Sequence, residues 1–210
     1  MRKKRWSIPE ETIRRLSLYL RILRFLEKEG VRVISSERLT KHLHITSAQA
    51  RKDLAYFGSF GQPGVGYNVR RLREGVEKIL GLNLSWQVIL VGVGKLGAAL
   101  ISYPGFRHFG FKILAAFDNN PAKVGQAISG IPVLDDRQME DFIREHQIKV
   151  AIMTVPASAA QDIARRLVNS GISAILNFAP RYLSIPENIQ IKSVDMAMEL
   201  ENLVYYLTHQ

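Results

Sequence analysis

The amino-acid sequence predicts an α/β protein in which a basic helical unit precedes a parallel-sheet unit. The first 84 residues contain 18 Lys and Arg against 8 Asp and Glu, whereas residues 85–210 contain 11 of each, so the entire net charge of +10 lies in the N-terminal part. Apolar residues recur at helical spacing in that part, and short apolar runs alternate with helical segments in the second. We therefore predict two domains that meet near residue 84. The basic domain is expected to bind a polyanion such as nucleic acid, the alternative being a merely solvated basic face.

The composition excludes several classes of protein. With 47% hydrophobic and 23% charged residues, a chain of 210 residues can bury a core and is not expected to be disordered. The absence of Cys excludes disulfides, Cys-ligated zinc and thiol nucleophiles. No apolar run reaches the roughly 18 residues that span a bilayer, and the basic residues 1–6 do not lead into the apolar stretch of a secretory signal. We expect a cytoplasmic protein with no membrane partner. No metal site is proposed, since His42 and His44 lack an evident third ligand.

A first helix is predicted to begin after Ser7 and to end at Gly30. Ser7 can cap the helix, Pro9 suits its first turn and Glu10 completes a capping box. Gly30 fits the C-terminal position that favours a positive φ. The residues predicted to face inward are Ile13, Leu16, Leu20, Leu23 and Leu26.

Two shorter helices separated by a tight turn follow. The earlier one starts after Ser36, and the later one is capped by Thr46, with Gln49 as its capping-box partner. Polar and basic groups near the N-terminus of the later helix indicate a helix-turn-helix, in which that helix reaches base edges in the major groove. Arg can bind guanine, and Gln can bind adenine, through two hydrogen bonds each. The predicted DNA contacts on this helix are Ser47, Gln49, Arg51 and Lys52, and its inward residues are Ala50, Leu54 and Phe57.

Residues 58–69 predict a short β-ribbon, because four Gly and one Pro between positions 58 and 66 exclude a helix. A ribbon directly after a recognition helix is the wing of a winged helix. A three-helix unit with a solvated hairpin is the alternative. A further helix is predicted from Arg70 to Gly81, and its arginines and the basic residues 1–6 are expected to contact phosphates. The predicted DNA contacts of the wing are Gln62, Gly64 and Tyr67.

The second part opens on a dinucleotide-binding fingerprint. The apolar run of residues 86–91 leads into Gly92, Gly94 and Gly97, and a second apolar run ends at Asp118, 21 residues beyond Gly97. A strand, this glycine pattern, a helix, a strand and an acidic residue at this spacing are typical of a Rossmann-like parallel sheet. Gly92 allows the tight turn, Gly94 lets the backbone approach a pyrophosphate, and Gly97 permits close packing of helix on strand. The alternative is a Gly-rich turn in an unrelated α/β domain.

The ligand expected at this fingerprint is NAD(H). The helix that begins at Lys95 and Leu96 would bind phosphates through its free N–H groups and its dipole. Asp118 can accept hydrogen bonds from both hydroxyls of the adenosine ribose. Its negative charge would repel a 2′-phosphate, which favours NAD(H) over NADP(H).

Helices and strands continue to alternate toward the end of the chain. We predict helices at 136–146 and 157–169 and strands at 150–155, 173–176 and 189–194. Open parallel sheets bind ligands at the carboxyl ends of their strands, so the residues expected near the nicotinamide are Val155, Pro156, Asn177 and Phe178. The alternative is that these residues merely end their strands.

The final helix is predicted to be apolar on nearly all sides, which is unusual for a terminal helix of a monomer. Burial against a second subunit and packing on its own sheet both remain open. Its apolar residues are Met196, Met198, Leu200, Leu203, Val204, Tyr206 and Leu207.

With these residues in view, the chain resembles the Rex family of redox-sensing transcriptional repressors over essentially its whole length. The resemblance rests on segments that together are far more specific than any single motif, at 50–58, 64–67, 92–97, 103–106, 154–157 and 175–180. It implies a homodimer that binds palindromic double-stranded operator DNA when NADH is scarce and leaves it when NADH accumulates. It also implies a domain-swapped C-terminal helix at 195–210, after a DNA-binding domain at 1–84 and an NAD(H)-binding domain at 85–194.

The resemblance further implies a set of switch residues and no catalytic residue. In the family, a Tyr at the position of Tyr103 pairs with an Asp at the position of Asp195 in the NADH-bound state, which adds Tyr103 to the nucleotide site. An Arg at the position of Arg21 takes that Asp in the DNA-bound state. The sequence departs from the family pattern at the wing tip, where Gln62-Pro63 replaces a basic pair, and at Met196, where some members have Phe.

Three other functions fit parts of the sequence. An NAD-dependent oxidoreductase with an N-terminal basic helical domain would need a proton-transfer group, yet His108, His146 and His209 have no paired carboxylate in the sequence. A regulator that binds CoA or another nucleotide would use a related α/β domain. A DNA-binding protein would need the sheet unit only as a dimerisation platform.

Overall fold

The structure, a computed structural model, describes residues 8–62 and 64–209. The chain divides into two compact units, residues 1–84 and residues 85–210. Two predicted features, the Ser7 cap and the basic residues 1–6, lie outside the described residues, as does Pro63 at the wing tip.

The first unit is a helical bundle with a small antiparallel sheet in which β3 lies between β1 and β2. The predicted two-stranded ribbon is therefore three-stranded, because β1 adds to it. A two-residue strand has no periodicity of its own, so only its tertiary pairing of Ile34 with Tyr67 defines it. The elements are α1 (Glu10–Lys28), β1 (Val33–Ile34), α2 (Ser36–Thr40), α3 (Ser47–Ala55), β2 (Gly61–Gln62), β3 (Gly66–Asn68) and α4 (Val69–Ile79).

Helix α1 forms the centre of this unit, but its buried stripe differs from the predicted one. Leu16, Leu20 and Leu23 are buried as predicted, whereas Ile13 is 37% exposed and its predicted inward position was wrong. Thr12 and Tyr19 are buried instead, because the inward stripe passes through positions spaced three and four apart from Leu16. At the N-terminus Pro9 is the N-cap residue and makes no side-chain cap bond.

Helices α2 and α3, on either side of the tight turn, each begin after a residue whose side chain caps the helix. The Oγ1 atom of Thr46 accepts the backbone N–H of Gln49 at 3.1 Å, which confirms the predicted cap of α3. The second half of the predicted capping box is wrong: among the described residues Gln49 Oε1 accepts no bond from the Thr46 N–H, and Gln49 Nε2 donates to Asp53. Ser35 caps α2, which begins at Ser36 rather than after it.

The second unit is a seven-stranded sheet in the order β10-β9-β8-β4-β5-β7-β6, parallel except for the antiparallel pair β6–β7. From the central strand β4 the chain moves outward through β5 and β7 and then, on the other side, through β8, β9 and β10. The elements are β4 (Trp86–Val91), α5 (Lys95–Ile101), α6 (Pro104–His108), β5 (Phe111–Asp118), β6 (Ala127–Ile128), β7 (Ile131–Asp135), a 3₁₀ turn (Asp136–Gln138), α7 (Met139–Glu145), β8 (Val150–Met153), α8 (Ala157–Asn169), β9 (Ala174–Asn177), β10 (Gln190–Ser193) and α9 (Met196–Thr208).

This strand order is that of a Rossmann-like sheet, and it creates a crevice at the carboxyl ends of β4 and β8, where the order reverses. Apolar side chains cover both faces: Phe117 packs with residues of α7 and α8, and Leu90 packs on the opposite face with Ile101 of α5. The predicted strand at 150–155 ends earlier, at Met153, while α8 has the predicted bounds. Strand β7 was not predicted, since Pro132 and Asp135 interrupt its apolar pattern.

Helix α9 has no buried residue. Its large apolar side chains are all more than half exposed. The least exposed is Met198 at 52% and the most exposed is Leu207 at 73%, so within the described chain this helix does not pack on its own sheet. Of the two alternatives that the sequence left open, burial against a second subunit is the one that this surface favours. No helix in the described part of the chain is long and apolar enough to cross a membrane.

Candidate functional site

The loop between β4 and α5 is built around two glycines that no other residue can replace without movement. Gly92 has a φ of +94°, and a Cβ atom there would lie 2.8 Å from the carbonyl oxygen of Thr154. A Cβ atom on Gly97 would lie 2.1 Å from the carbonyl oxygen of Gly92. The side chain of Thr154 fixes the same loop, since its Oγ1 donates to the Gly92 carbonyl at 2.6 Å. The loop therefore presses α5 directly onto the strand ends.

Gly94 differs from the other two glycines because a Cβ atom there would meet nothing within 4 Å. It is the N-cap residue of α5 and offers no side-chain cap. The first N–H groups of a helix have no intrahelical partner, so Gly94, Lys95 and Leu96 present donors at an open surface. This cradle fits a phosphate group, which needs close approach to the backbone and a positive helix end.

Asp118 ends β5 beside this loop and is only 8% exposed. Its Oδ2 accepts the N–H of Val93 at 2.7 Å, and its Oδ1 accepts the N–H of Asn120 at 2.9 Å. The ammonium of Lys123 lies 3.2 Å from Oδ2. Burial would raise the pKa of Asp118, but the bonds from Asn120 and Val93 and the charge of Lys123 hold it below its usual value. The carboxylate is therefore ionised at neutral pH, and Lys123 offsets part of its charge.

Gly92, Gly94, Asp118, Asn120, Lys123 and Thr154 line one cleft of about 470 Å³, within the roughly 300–1,000 Å³ typical of small-molecule sites. Sequence reasoning missed the loop after β5, because Asn119, Asn120 and Lys123 belong to no motif. It also missed Thr154, whose role follows only from its contact with the glycine loop. Of the predicted nucleotide-site residues, the cleft is lined by Gly92, Gly94, Asp118, Val155 and Pro156.

The other predicted nucleotide residues lie outside that lining. Asn177 is fully buried, and its side chain holds its own loop: Nδ2 donates to the carbonyl of Ala179 at 3.1 Å, and Oδ1 accepts the N–H of the same residue. Phe178 packs with the apolar residues on the α5 side of the sheet. Tyr103 is 52% exposed and its ring packs edge-on against Phe106 at 5.3 Å. In this geometry Asn177 shapes the strand end, whereas Tyr103 keeps an accessible ring.

The two other predicted switch residues lie in different units. Asp195 caps α9, with Oδ1 accepting the N–H of Ala197 at 2.9 Å and of Met198 at 3.3 Å. Arg21 is an exposed residue of α1 in the first unit. The Asp195 carboxylate caps the N-terminus of α9. A group that drew this carboxylate away would therefore also remove the cap from the first turn of α9.

In the first unit, a groove of about 740 Å³ lies between α3, the start of α2 and the ribbon. Four predicted DNA contacts line it: Arg51, Gln62, Gly64 and Tyr67. Arg51 is exposed and donates to the hydroxyl of Ser36 at 2.8 Å. Tyr67 is only 8% exposed, and burial raises its pKa against the opposing charge of Arg51. Its ring therefore supports the ribbon and offers little surface for a base.

The remaining predicted contacts, Ser47, Gln49 and Lys52, lie on α3 outside the lining of that groove. Lys52 is exposed, whereas Ser47 and Gln49 are half-buried. The amide of Gln49 donates to Asp53 Oδ1 at 2.8 Å, so one of its two N–H groups is engaged within the protein.

Asp53 is a buried carboxylate that the sequence did not single out, and its relative exposure is 0%. The guanidinium of Arg15 donates to both of its oxygens, at 2.6 and 2.8 Å, and Tyr19 donates at 2.9 Å. Thr12 adds a fourth donor at 3.1 Å. Burial would raise the pKa of Asp53, but the bonds from Arg15, Gln49 and Tyr19 hold it below its usual value. A carboxylate with this many donors stays ionised and joins α1 to α3.

The arginines at the start of α4 are less available for phosphates than the sequence predicted. Arg73 is paired with Glu27 of α1 and with Glu74 and Glu77 of its own helix. Arg70 forms an exposed pair with Glu74 at 3.0 Å. Arg73 is therefore the less available of the two for a phosphate, and the prediction that it contacts phosphate stays a prediction. Among residues 8–62 and 64–209, no group of three His, Asp or Glu side chains is placed to hold a metal ion.

A basic winged helix-turn-helix joined in one chain to a nucleotide-binding type of sheet defines the class of ligand-responsive DNA-binding regulators. Two family profiles match the chain: one described as "Putative DNA-binding protein N-terminus" at residues 7–55, and one described as "CoA binding domain" at residues 83–181.

Relatives and solved structures identify the family. The "Redox-sensing transcriptional repressor Rex" of Carboxydothermus hydrogenoformans is 47% identical over 96% of this chain and 97% of its own length. The crystal structure of RSP with β-NAD+ and operator DNA is similar with a TM-score of 0.91, at 39% identity over 96% of this chain and 93% of that chain. RSP with β-NADH is similar with a TM-score of 0.88, at 37% identity over 97% of this chain and 95% of that chain. This chain belongs to the Rex family of redox-sensing transcriptional repressors.

Membership confirms three predictions made from the sequence: the family, the winged-helix and Rossmann-like fold class, and a redox-sensing repressor as the function. The relatives are named as repressors, which places the family among regulators. The individual site residues, the domain bounds and the exchange of α9 between subunits stay predictions.

Proposed function

We propose that this protein is a homodimeric repressor that binds palindromic operator DNA through α3 and the ribbon and releases it when NADH binds in the cleft of the second unit. The observation that carries the proposal is the cleft itself. Its lining includes Gly94, whose backbone a ligand can approach closely, and the ionised Asp118. The other unit of the same chain is a basic winged helix. RSP, a solved relative, was crystallised with β-NAD+ and operator DNA and also with β-NADH.

The two redox forms of the ligand differ by a hydride and by the positive charge of the oxidised ring. An apolar surface disfavours the cation because it removes water without a compensating partner. Pro156 and Val155 line the cleft, and Phe178 lies on the α5 side of the same strand ends. These residues are the basis on which we propose a preference for NADH.

The dimer is proposed from α9, whose apolar side chains are exposed along the whole helix. Exchange of this helix between two copies would bury that surface. Tyr103, Asp195 and Arg21 are proposed as the groups that respond to the ligand. We propose a regulator without catalytic turnover, acting in the cytoplasm, since its ligand and its operator are both found there.

Operator release tests this proposal directly. A labelled duplex selected from a random pool by the wild-type protein is bound at fixed salt and titrated with NADH and, separately, with NAD+, while fluorescence anisotropy is recorded. We expect NADH to release the duplex at concentrations at which NAD+ leaves it bound. If neither form changes the anisotropy, the sheet unit is only a dimerisation platform and the proposal is wrong.

Asp118 and Lys123 provide a second prediction, on ligand choice. Replacing Asp118 with Asn removes the charge that repels a 2′-phosphate, so the ratio of NADPH to NADH affinity is expected to rise about tenfold. Replacing Lys123 with Met removes a favourable charge and is expected to lower that ratio. Calorimetric titration of each variant with NADH, NADPH and CoA measures both effects.

The ratio cancels any general loss of binding that arises because Asp118 also holds the N–H groups of Val93 and Asn120. An unchanged ratio in both variants would show that Asp118 does not face the adenosine ribose. Tighter binding of CoA than of NADH by the wild-type protein would favour the CoA-type regulator that one family profile suggests.

A further inference from the structure

The buried carboxylate of Asp53 connects the helix that is proposed to read DNA to the centre of the first unit. Asp53 lies on the inward side of α3, between the buried Ala50 and Leu54. Its partners Thr12, Arg15 and Tyr19 all lie on α1, over two turns of that helix. Leu54 and Ala50 supply apolar contact, which fixes distance but permits rotation and sliding. The hydrogen bonds to Asp53 are directional and fix the angle as well.

The number of donors to the Asp53 carboxylate indicates that it fixes α3 to α1. A buried carboxylate must be paired and hydrogen-bonded to offset its lost hydration. Here the two-point contact of Arg15 meets both oxygens, Tyr19 also donates to Oδ2, and Thr12 and Gln49 also donate to Oδ1. Burial and then the neighbouring Asp53 raise the pKa of Tyr19, so its hydroxyl stays protonated and can donate at neutral pH.

Helix α1 is itself fixed at its other end. Arg24 of α1 pairs with Glu77 of α4 at 2.9 Å, and Arg73 of α4 pairs with Glu27 of α1 at 2.6 Å. The two clusters lie about three turns apart along α1. The helix is therefore tied to α3 near its beginning and to α4 near its end.

We infer that Asp53 is a positioning residue for operator recognition: through Arg15, Tyr19 and Thr12 it sets the pose of α3, and through Gln49 it orients a side chain at the DNA-facing end of that helix. This inference rests on the proposed function, because it gives Asp53 a role only if α3 reads DNA. It also changes the role of Gln49, which belongs to the anchor and keeps its Oε1 and one N–H for a base.

If Asp53 positions α3, its replacement should weaken binding to the selected duplex more than binding to a duplex of unrelated sequence. Non-specific affinity comes from phosphate contacts and does not require a particular pose of the helix, whereas base contacts do. Replacing Asp53 with Asn in the full-length protein is expected to weaken binding to the wild-type-selected duplex by about tenfold or more. Binding to a scrambled duplex is expected to change less than about threefold.

Three variants separate positioning from stability. Replacing Tyr19 with Phe removes one bond to Asp53 and leaves the Arg15 pair, so it tests the anchor if Asp53→Asn does not fold. Replacing Glu77 with Gln weakens the ion pairs between α1 and α4 and is the matched control. It is expected to lower the melting temperature without changing the ratio of the affinities for the selected and the scrambled duplex. Combining Gln49→Ala with Asp53→Asn is expected to cost less than the sum of the single changes, because both act through one contact.

The measurement is fluorescence anisotropy with the selected and scrambled duplexes, beside thermal melting and NADH calorimetry on each variant. A lower ratio of selected to scrambled affinity in Asp53→Asn or Tyr19→Phe, with NADH binding unchanged, supports the inference. Equal losses on both duplexes, or an unchanged ratio in a folded variant, would overturn it. Failure of the wild-type protein to select any duplex would instead reject the proposed function.

Discussion

Replacing Gly94 with Ala is expected to lower NADH affinity by about a hundredfold while the second unit stays folded. A Cβ atom at this position meets no protein atom within 4 Å, so the substitution has nothing to displace in the free protein. It does occupy the space through which a pyrophosphate must approach the N–H groups at the start of α5. Calorimetry with NADH measures the loss, and circular dichroism with thermal melting checks the fold.

Gly97 supplies the contrasting variant. A Cβ atom there would lie 2.1 Å from a backbone oxygen, so Gly97→Ala is expected to move α5 off the strand ends and to lower the melting temperature. The two variants together separate loss of the ligand surface from loss of the fold. Normal NADH affinity in Gly94→Ala would place the ligand elsewhere and contradict the site.

Introducing charge into α9 is expected to separate the dimer and to weaken operator binding by about a thousandfold. Leu200 and Leu203 are 63% and 62% exposed in the single chain, and replacing both with Glu would bury two carboxylates in a subunit interface. A monomer has only one recognition helix and loses the gain that comes from holding two half-sites at once. Light scattering measures the mass, and anisotropy with the selected duplex measures the affinity.

Asn202→Glu is the matched control, since it adds a carboxylate to the same helix at a position that is already polar and lies one turn from Glu199. It is expected to keep the dimer and its operator affinity. A double Glu variant that stays dimeric would show that α9 is not the interface, and the proposal that this helix is exchanged between subunits would fall with it.

Local patterns were enough to predict how the second unit begins. The spacing from Gly92 to Asp118 constrains a strand, a turn, a helix and a second strand at once, so the loop geometry follows from few residues. The bounds of α8 were likewise predictable, because Pro156 and Gly171 mark its two ends. Strand β7 escaped prediction because Pro132 and Asp135 interrupt its apolar run, and Pro132 lies just before the residues of β7 that pair with β5.

Contacts between distant segments were not predictable. Asp53 had no predicted role of its own, and only the fold brings Thr12, Arg15 and Tyr19 to it. For the same reason Arg73 was expected to contact phosphate although two helices supply its acidic partners. Whether a polar residue of a helix is buried, and which groups it bonds, depends on the elements that pack against that helix.

The most direct test of the account is the NADH affinity of the free protein compared with that of the operator-bound protein. Coupling between two binding sites is reciprocal, so if NADH weakens operator binding by some factor, the operator must weaken NADH binding by the same factor. Calorimetric titration of NADH into the dimer, with and without saturating selected duplex, measures that factor. We predict weaker NADH binding in the presence of the duplex, by the factor found in the release experiment. Equal NADH affinities in the two titrations would contradict the account.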